Sequence, residues 1–404
     1  MIRNRDKTIK HTASCRFSSA HRRSGGKRYL STLLLLGGMA LSSTGVAADW
    51  QGLAKALHPY AELGLEHDSN LLRDPIDERS DTLRTLTLGF DGDFTISKQV
   101  LQIGGQVSRN DYDRFDTFNH TAGDAYLRWK WAVGRLWSGD IGYSFDRQLR
   151  AFANQDIPEK DPRERHRVRA SINRWLTDRW RLGAKGRLAD ISFEESSSLD
   201  KQLVDADLSL DYVSRIGNTV GMEARWQDAR FDNADNRDFE EYVIGPTLDW
   251  QVGGKLRLKA NVGYLSREHD VETSRDFDGF VGNLKGTWQI TGKTSLNFHL
   301  WRDLSSLNDD IADYAVIDGI SLEPTWNITA KTTLRGVASY EERDFDERVP
   351  SRLDDVTVVG VWLDWNPRDN ISVSVGYSID DRDSTLAVEE YESEILQARV
   401  RVGF

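Results

Sequence analysis

The feature that most constrains this chain is an alternation of apolar and polar residues that runs to its last atom. Leu396, Ala398, Val400, Val402 and Phe404 hold one parity, and Gln397, Arg399, Arg401 and Gly403 hold the other. A period of two sends successive side chains to opposite faces of a strand. The C-terminus is therefore expected to be a strand with one apolar and one wet face. The pattern recurs upstream. Ala61, Leu63 and Leu65 share a face, as do Leu86, Leu88 and Phe90, then Leu101, Ile103 and Val107. Leu127, Trp129 and Trp131 then turn at Val133-Gly134 into Ile141, Tyr143 and Phe145, and six further hairpins of this kind reach Ile379. With the closing strand the count is eighteen. An even number suits a single chain closed into an antiparallel barrel. The expected fold is all-β, a transmembrane antiparallel β-barrel over residues 59–404.

A second regularity sets the height of the strands. Trp175, Tyr212, Trp250, Trp288, Trp326 and Trp365 follow one another at intervals of 37, 38, 38, 38 and 39 residues, each just before a tight turn. One hairpin with its loop fills such an interval, so each aromatic returns to the same level. A ring of Trp and Tyr at one level is expected to be an interfacial girdle. A propeller-like repeat is the alternative, but its blades need four strands in about 40 residues and only two fit here. Connections after the aromatics are two to four residues with Gly, Asp or Lys, suited to hairpins. The others are longer and polar, as from Ser69 to Asp81 or from Arg147 to Arg165. Short periplasmic turns, longer extracellular loops and two periplasmic termini are expected from this asymmetry.

The N-terminus supplies a reason for export. Arg22, Arg23, Lys27 and Arg28 precede an apolar run around Leu33, Leu34, Leu35 and Leu36, and Val46-Ala47-Ala48 has the small residues of a cleavage site. Residues 1–48 read as a signal peptide with a long n-region, and 49–58 as a short periplasmic segment. The apolar run is shorter than the ~20 residues of a membrane-spanning helix. Cys15 lies in this leader behind charged residues, which argues against lipidation. The chain has one cysteine, so the mature part has no disulfide, thiolate metal site or cysteine nucleophile. Nine of the 53 basic residues and one of the 64 acidic residues fall in the leader, leaving the mature chain at about −19. That excess argues against nucleic acid as a partner. The mean hydropathy of −0.56 does not argue against a membrane barrel, because only alternate strand residues meet lipid.

Chemistry is hard to find. His58, His67, His120, His166, His269 and His299 are scattered, with no HExxH or i, i+4 pair, so no metal site is expected. His67 with Ser69, or His299 near Ser295, is the nearest approach to a hydrolase pair, and nothing selects either. The acidic stretches Asn308-Asp309-Asp310 and Asp232-Asn233-Ala234-Asp235 lack the Gly and closing Glu of a calcium loop; solvation, repulsion or ion-bridged contact with lipopolysaccharide is expected of them. No phosphate loop or dinucleotide fingerprint is present, and no cofactor or catalytic residue is expected.

The inward faces are where function is expected. Arg167, Arg169, Arg181, Lys185 and Arg187 point inward from two neighbouring strands, and the next offers Asp205, Asp207 and Asp211. Lys255, Arg257 and Lys259 form a second basic row, with Asp249 and Asp318 among the nearby acids. Glu62 and Glu66 are expected to face Arg399 and Arg401 across the closing seam. Tyr126, Arg128, Asn261 and Asn297 add inward donors and acceptors. Separate stripes of each sign set a field across a wet pore that favours polar solutes. Neighbouring pairs that satisfy one another in a filled interior are the other reading.

At Glu66-His67-Asp68-Ser69-Asn70-Leu71-Leu72-Arg73 the chain resembles the first strand and loop of the β-barrel porins encoded beside exopolysaccharide biosynthesis genes, the EpsL and VpsM type. The resemblance continues as a hairpin series over the mature chain, with only the Asp-Ser-Asn element specific to that family. It implies an outer-membrane protein of exopolysaccharide export, a polar conduit or station without chemistry of its own. Implied partners are membrane lipid and lipopolysaccharide, the barrel-assembly machinery reading Phe404, polysaccharide, and periplasmic export components. A general or sugar-selective diffusion porin shares the fold; a long loop folded into the pore favours it, and only Arg147 to Arg165 is long enough. A barrel enzyme is the third reading.

Overall fold

The computed structural model describes residues 56–155, 157–305, 314–345 and 351–404. The segment expected to be a signal peptide with its expected cleavage site, Cys15 and the Asn308-Asp309-Asp310 stretch lie outside the described residues. Alternating segments form eighteen strands: β1 (Leu57–Asp68), β2 (Asp81–Ile96), β3 (Gln99–Tyr112), β4 (His120–Val133), β5 (Trp137–Leu149), β6 (Pro162–Trp175), β7 (Trp180–Phe193), β8 (Lys201–Val213) and β9 (Thr219–Phe231). The second half comprises β10 (Phe239–Val252), β11 (Leu256–His269), β12 (Phe277–Gln289), β13 (Thr294–Ser305), β14 (Ala315–Asn327), β15 (Thr332–Phe345), β16 (Leu353–Arg368), β17 (Ile371–Ser384) and β18 (Tyr391–Gly403). The first strand thus begins at Leu57, inside the segment expected to precede the barrel.

Every strand pairs antiparallel with its sequence neighbours, and β1 closes the sheet on β18 from Tyr60↔Gly403 to Asp68↔Ile395. Closure leaves no unpaired edge. Because paired residues share a face, the register fixes which side of the wall each residue occupies. Leu63 lies between Val400 and Leu86, and this parity carries large apolar residues outward around the whole circumference. Leu63 is 62% and Phe280 67% exposed. An apolar belt of that extent needs lipid, not water, against it.

Two backbone features show how the ladder is adjusted. Pro367 lies where the β16–β17 register shifts between Trp365 and Arg368; Pro has no N–H to give, so a bulge accommodates it. Gly376 and Gly360 lie under the Trp362 ring, where a Cβ on Gly376 would come within 2.0 Å of it. A larger residue there would lift that ring off the wall.

Tyr212, Trp250, Trp288, Trp326 and Trp365 share the outward parity at the short-turn end. Trp175 does not, contrary to expectation. It pairs with Arg181 on the inner face, and that guanidinium lies 5.7 Å from its ring centroid. The outward aromatic at this place is Trp180, packed edge-on against Tyr212 at 5.4 Å. Counting residues back to the turn had ignored parity: Trp175 stands an odd three positions from outward Ile172.

The long loops repeat as well. In four of them a strand ends, a single 3-10 turn follows, and an Asn or Asp seven residues on reaches back to accept a hydrogen bond from the strand's backbone N–H. The pairs are Tyr112 with Asn119 (2.6 Å), Phe193 with Asp200, Phe231 with Asp238, and His269 with Asp276 (each 2.7 Å). The last three acceptors recur every 38 residues. Neighbouring loops are joined laterally, Asp232 N–H to Asp200 C=O (3.0 Å) and Asp270 N–H to Asp238 C=O (3.1 Å). Just beyond the acidic Asp232-Asn233-Ala234-Asp235 stretch, Asp238 is therefore a structural cap. Burial raises the Asp200 and Asp238 carboxyls above the usual range, against the lowering effect of the N–H each accepts.

Candidate functional site

The inner face is polar along most of its height because alternation excludes apolar side chains from it. On β6 the inward positions Arg163, Arg165, Arg167 and Arg169 form a basic ladder beside Asp140 and Asp146 of β5. Asp146 is shared by Arg163 (3.0 Å), Arg165 (2.8 Å) and Arg167 (3.6 Å), and Asp140 by Arg128 (3.0 Å) and Arg169 (3.4 Å). On β7, Arg181 meets Asp211 at 2.8 Å, Lys185 meets Glu223 at 3.3 Å, and Arg187 lies 3.4 and 3.5 Å from Asp205 and Asp207. Further round, Arg257 binds Asp249 at 2.7 Å, with Lys259 at 3.9 Å from the same carboxylate. With their cations this open to water, such pairs add little to stability. Their larger effect is on the field inside the barrel.

The two basic rows face one recess of about 740 Å³ in the inner wall between β4 and β12. Among the described residues its lining has seven cations, Arg128, Arg169, Lys185, Arg187, Arg225, Lys259 and Lys285, against four acids, Asp140, Asp207, Glu223 and Asp249. The chain is strongly acidic as a whole, yet this part of its interior is net basic. Sequence reasoning missed Arg163, Arg165, Arg225 and Lys285, although their inward parity was readable from their own strands. One residue expected in the second basic row and one acid expected near it lie elsewhere. Lys255 is in the β10–β11 turn, its ammonium toward the Ile290 carbonyl at 3.5 Å. Asp318 is on the outer parity and pairs with Arg302 at 2.5 Å.

The remaining sequence candidates also have places. Glu62 is opposite Arg401 in the β1–β18 register, and its carboxylate meets Arg399 at 3.1 Å. Arg401 instead stacks over Tyr60, 3.5 Å from the ring centroid. Glu66, expected to face these arginines, instead lies opposite Gln397 and accepts from it at 2.9 Å, because the register places Arg399 and Arg401 nearer the short-turn end. Tyr126 lies over Gly104, Asn261 bonds Asn283, and Asn297 opposes Thr287 and Glu323. The imagined hydrolase pairs do not form. His67 bonds Thr82 at 3.0 Å, and His299 stacks on Trp301 at 4.4 Å. Among the described residues no cluster of His, Cys, Asp or Glu is arranged to hold a metal ion.

The two ends of the bore differ. At the short-turn end and mid-height the inward cations Arg169, Lys185 and Arg187 are about half exposed, while the acids Asp205, Asp207 and Asp211 of β8 are buried against the wall. At the long-loop end inward side chains are packed: Val243, Leu265, Val281, Leu304 and Tyr314 form an apolar cluster, next to a buried Arg267–Glu241 pair at 2.7 Å. The β5–β6 connection turns inward there. Phe152 of that loop packs on Phe118 at 4.8 Å, and the Ala153 carbonyl accepts from Arg382 of β17 at 2.9 Å. β17 is six strands away around the wall, so the loop crosses part of the lumen to reach it. Arg382 is itself fixed by Glu389 at 3.2 Å and faces Asp354 at 3.9 Å.

The Asp-Ser-Asn element has a structural task. Asp68 accepts from the Asn70 N–H (2.9 Å), the Ser393 hydroxyl (2.6 Å) and Arg73 (2.8 Å), while the Asn70 amide donates to the Asp74 and Glu392 carbonyls. These residues lock the β1–β18 seam.

Eighteen strands closed on themselves, an apolar belt outside and a charged, recessed inner wall define a membrane-spanning barrel of the porin class. Residues 56–404 match the family model described as Putative beta-barrel porin 2, and the chain belongs to that family, in the bacterial outer membrane. No curated protein matches the chain. Among solved structures it is similar to OccK2 (OpdF) of Pseudomonas aeruginosa, with a TM-score of 0.50 and 11% identity over 87% of this chain and 98% of that one. It is also similar to OpdK of the same organism, solved with vanillate (TM-score 0.49, 10% identity, 87% and 99% covered). A BenF-like porin from Pseudomonas fluorescens Pf-5 matches with a TM-score of 0.49 at 10% identity, covering 86% and 99%. At these identities the likeness is one of fold.

Proposed function

We propose that the chain is an outer-membrane diffusion porin, a wet passage for small polar solutes narrowed at one end by its own loop. In this reading the short turns and both termini are periplasmic, the aromatics at that end sit among lipid headgroups, the long loops meet lipopolysaccharide, and Phe404 is read by the barrel-assembly machinery. The observation that carries it is the β5–β6 loop held across the lumen by the Ala153–Arg382 hydrogen bond. A loop folded into the bore restricts the size of what passes and suits diffusion of small solutes. A conduit for a polysaccharide chain needs a clear bore along its full height, and the packed long-loop end does not favour one. The Asp-Ser-Asn element, on which the exopolysaccharide resemblance rested, is accounted for by seam closure. Among the described residues no catalytic constellation favours an enzymatic reading.

The test is liposome swelling with the purified protein, beside quantification of surface polysaccharide in a deletion strain. Uptake that falls with solute size, with polysaccharide unchanged, supports the porin. Liposomes that do not swell, together with a loss of surface polysaccharide, would move the assignment to the export station.

A further inference from the structure

We infer that the inner-wall recess contains a binding site for an anionic oxygen group, carboxylate or phosphate, centred on Lys259 of β11 and Lys285 of β12. The inference rests on the porin reading and gives its pore a solute class.

Three observations converge. Lys259 and Lys285 are directly opposite in the β11–β12 register. Like charges in that position repel and are unfavourable unless something lies between them. Lys285 makes no hydrogen bond or ion pair among the described residues, and Lys259 has only Asp249, at 3.9 Å. One step further along both strands, on the same face, Asn261 and Asn283 bond each other; their remaining amide and carbonyl groups suit the polar body of a solute.

The surroundings favour an anion over a cation. The recess is net basic by three charges, and Arg225, whose buried Nε has no hydrogen bond and lies 3.9 Å from Asp207, also lines it. Glu323 and Asp249 flank the lysine pair but do not pair with Lys285. The volume of about 740 Å³ is that of a small-molecule site, which spans about 300–1,000 Å³.

The experiment is single-channel and macroscopic current in planar bilayers with the full-length protein, with sodium phosphate or disodium succinate added to a KCl bath. Saturable block by one or both anions is expected, as is a zero-current potential in a KCl gradient showing preference for chloride. Lys285→Gln and Lys259→Gln should each raise the half-blocking concentration by about fivefold, the weight of one charged contact in a wet setting, and shift the zero-current potential toward the cation. Arg401→Gln, on the inner wall outside the recess, should leave the block unchanged. Phosphate blocking at lower concentration than succinate would identify the phosphate group as the preferred ligand, and the reverse the carboxylate; both support the site. Conductance without saturable block, or equal block in all three variants, overturns the site while the porin reading stands. Should the protein not conduct, titration calorimetry in detergent with the same two anions decides the site alone: heat lost in Lys285→Gln supports it, and absence of heat in the wild type overturns it.

Discussion

Asp68 accepts hydrogen bonds from a backbone N–H, a hydroxyl and a guanidinium at the seam where the first and last strands meet. It is 4% exposed, so removing it leaves Arg73, in a shielded place, with the more distant Asp380 carboxylate at 4.0 Å. Breaking one side of a buried pair costs about 3–5 kcal/mol. Asp68→Ala should therefore lower the temperature at which the barrel loses its compact mobility on semi-native gels, whereas Ser393→Ala, which gives up a hydroxyl donating to Asp68 and accepting from Arg73 but leaves their ion pair in place, should cost less, about 1.5–3 kcal/mol. Equal effects of the two would show that the seam is not organised around the carboxylate. A second prediction concerns the loop caps. Burial holds the Asp238 carboxyl above its ordinary range, so the folded chain binds that proton more tightly than the unfolded one. Its contribution is present below the ordinary Asp value and is lost as pH rises through the raised one. Asn119 does the same capping without a charge. Asp238→Asn should accordingly keep the loop, be neutral to stabilising at pH 7, and flatten this acid-side dependence in thermal melts; a variant clearly less stable at pH 7 would contradict the account.

At the scale of elements, the restricting part is a loop and its anchor. Arg382→Ala removes the donor that holds Ala153 and a cation beside Asp354 and Glu389. The expected result is a larger and noisier single-channel current, with swelling extended to bigger solutes; an unchanged size cut-off would mean the loop does not set it. This element also shows what a sequence can and cannot disclose. All eighteen strands were legible, because a wall with lipid on one side and water on the other writes its geometry as a period of two. The seam charges were legible for the same reason, since parity and chain direction oblige Glu62 to meet the Arg399–Arg401 stretch. Trp175 misled because distance to a turn says nothing about face, while its odd offset from Ile172 does. The loop's inward fold was foreseen only as a length, since its partner Arg382 lies 229 residues away and no local pattern encodes that contact. The Lys259–Lys285 opposition was equally hidden, because it depends on the register between strands and not on either strand alone.

Taken whole, the molecule separates its charges. Residues 49–404 carry a net charge of about −19, yet the mid-height recess is net basic, so acid is concentrated elsewhere, much of it in the long loops. That arrangement keeps the loop surface soluble while leaving the passage suited to anions. Assembly should depend on the other end of the chain: deleting Phe404 is expected to reduce the amount of folded protein in outer-membrane fractions while leaving the strand pattern of purified, refolded protein unchanged by circular dichroism. Loss of the refolded strand signal as well would assign Phe404 to stability and not to recognition. The central claim, that this barrel is a passage for small solutes, is tested most directly by single-channel recording of the purified protein in planar lipid bilayers. The account predicts discrete, ohmic current steps of uniform size. A protein that is folded by gel mobility and yet gives no steps at any voltage or salt concentration would contradict it.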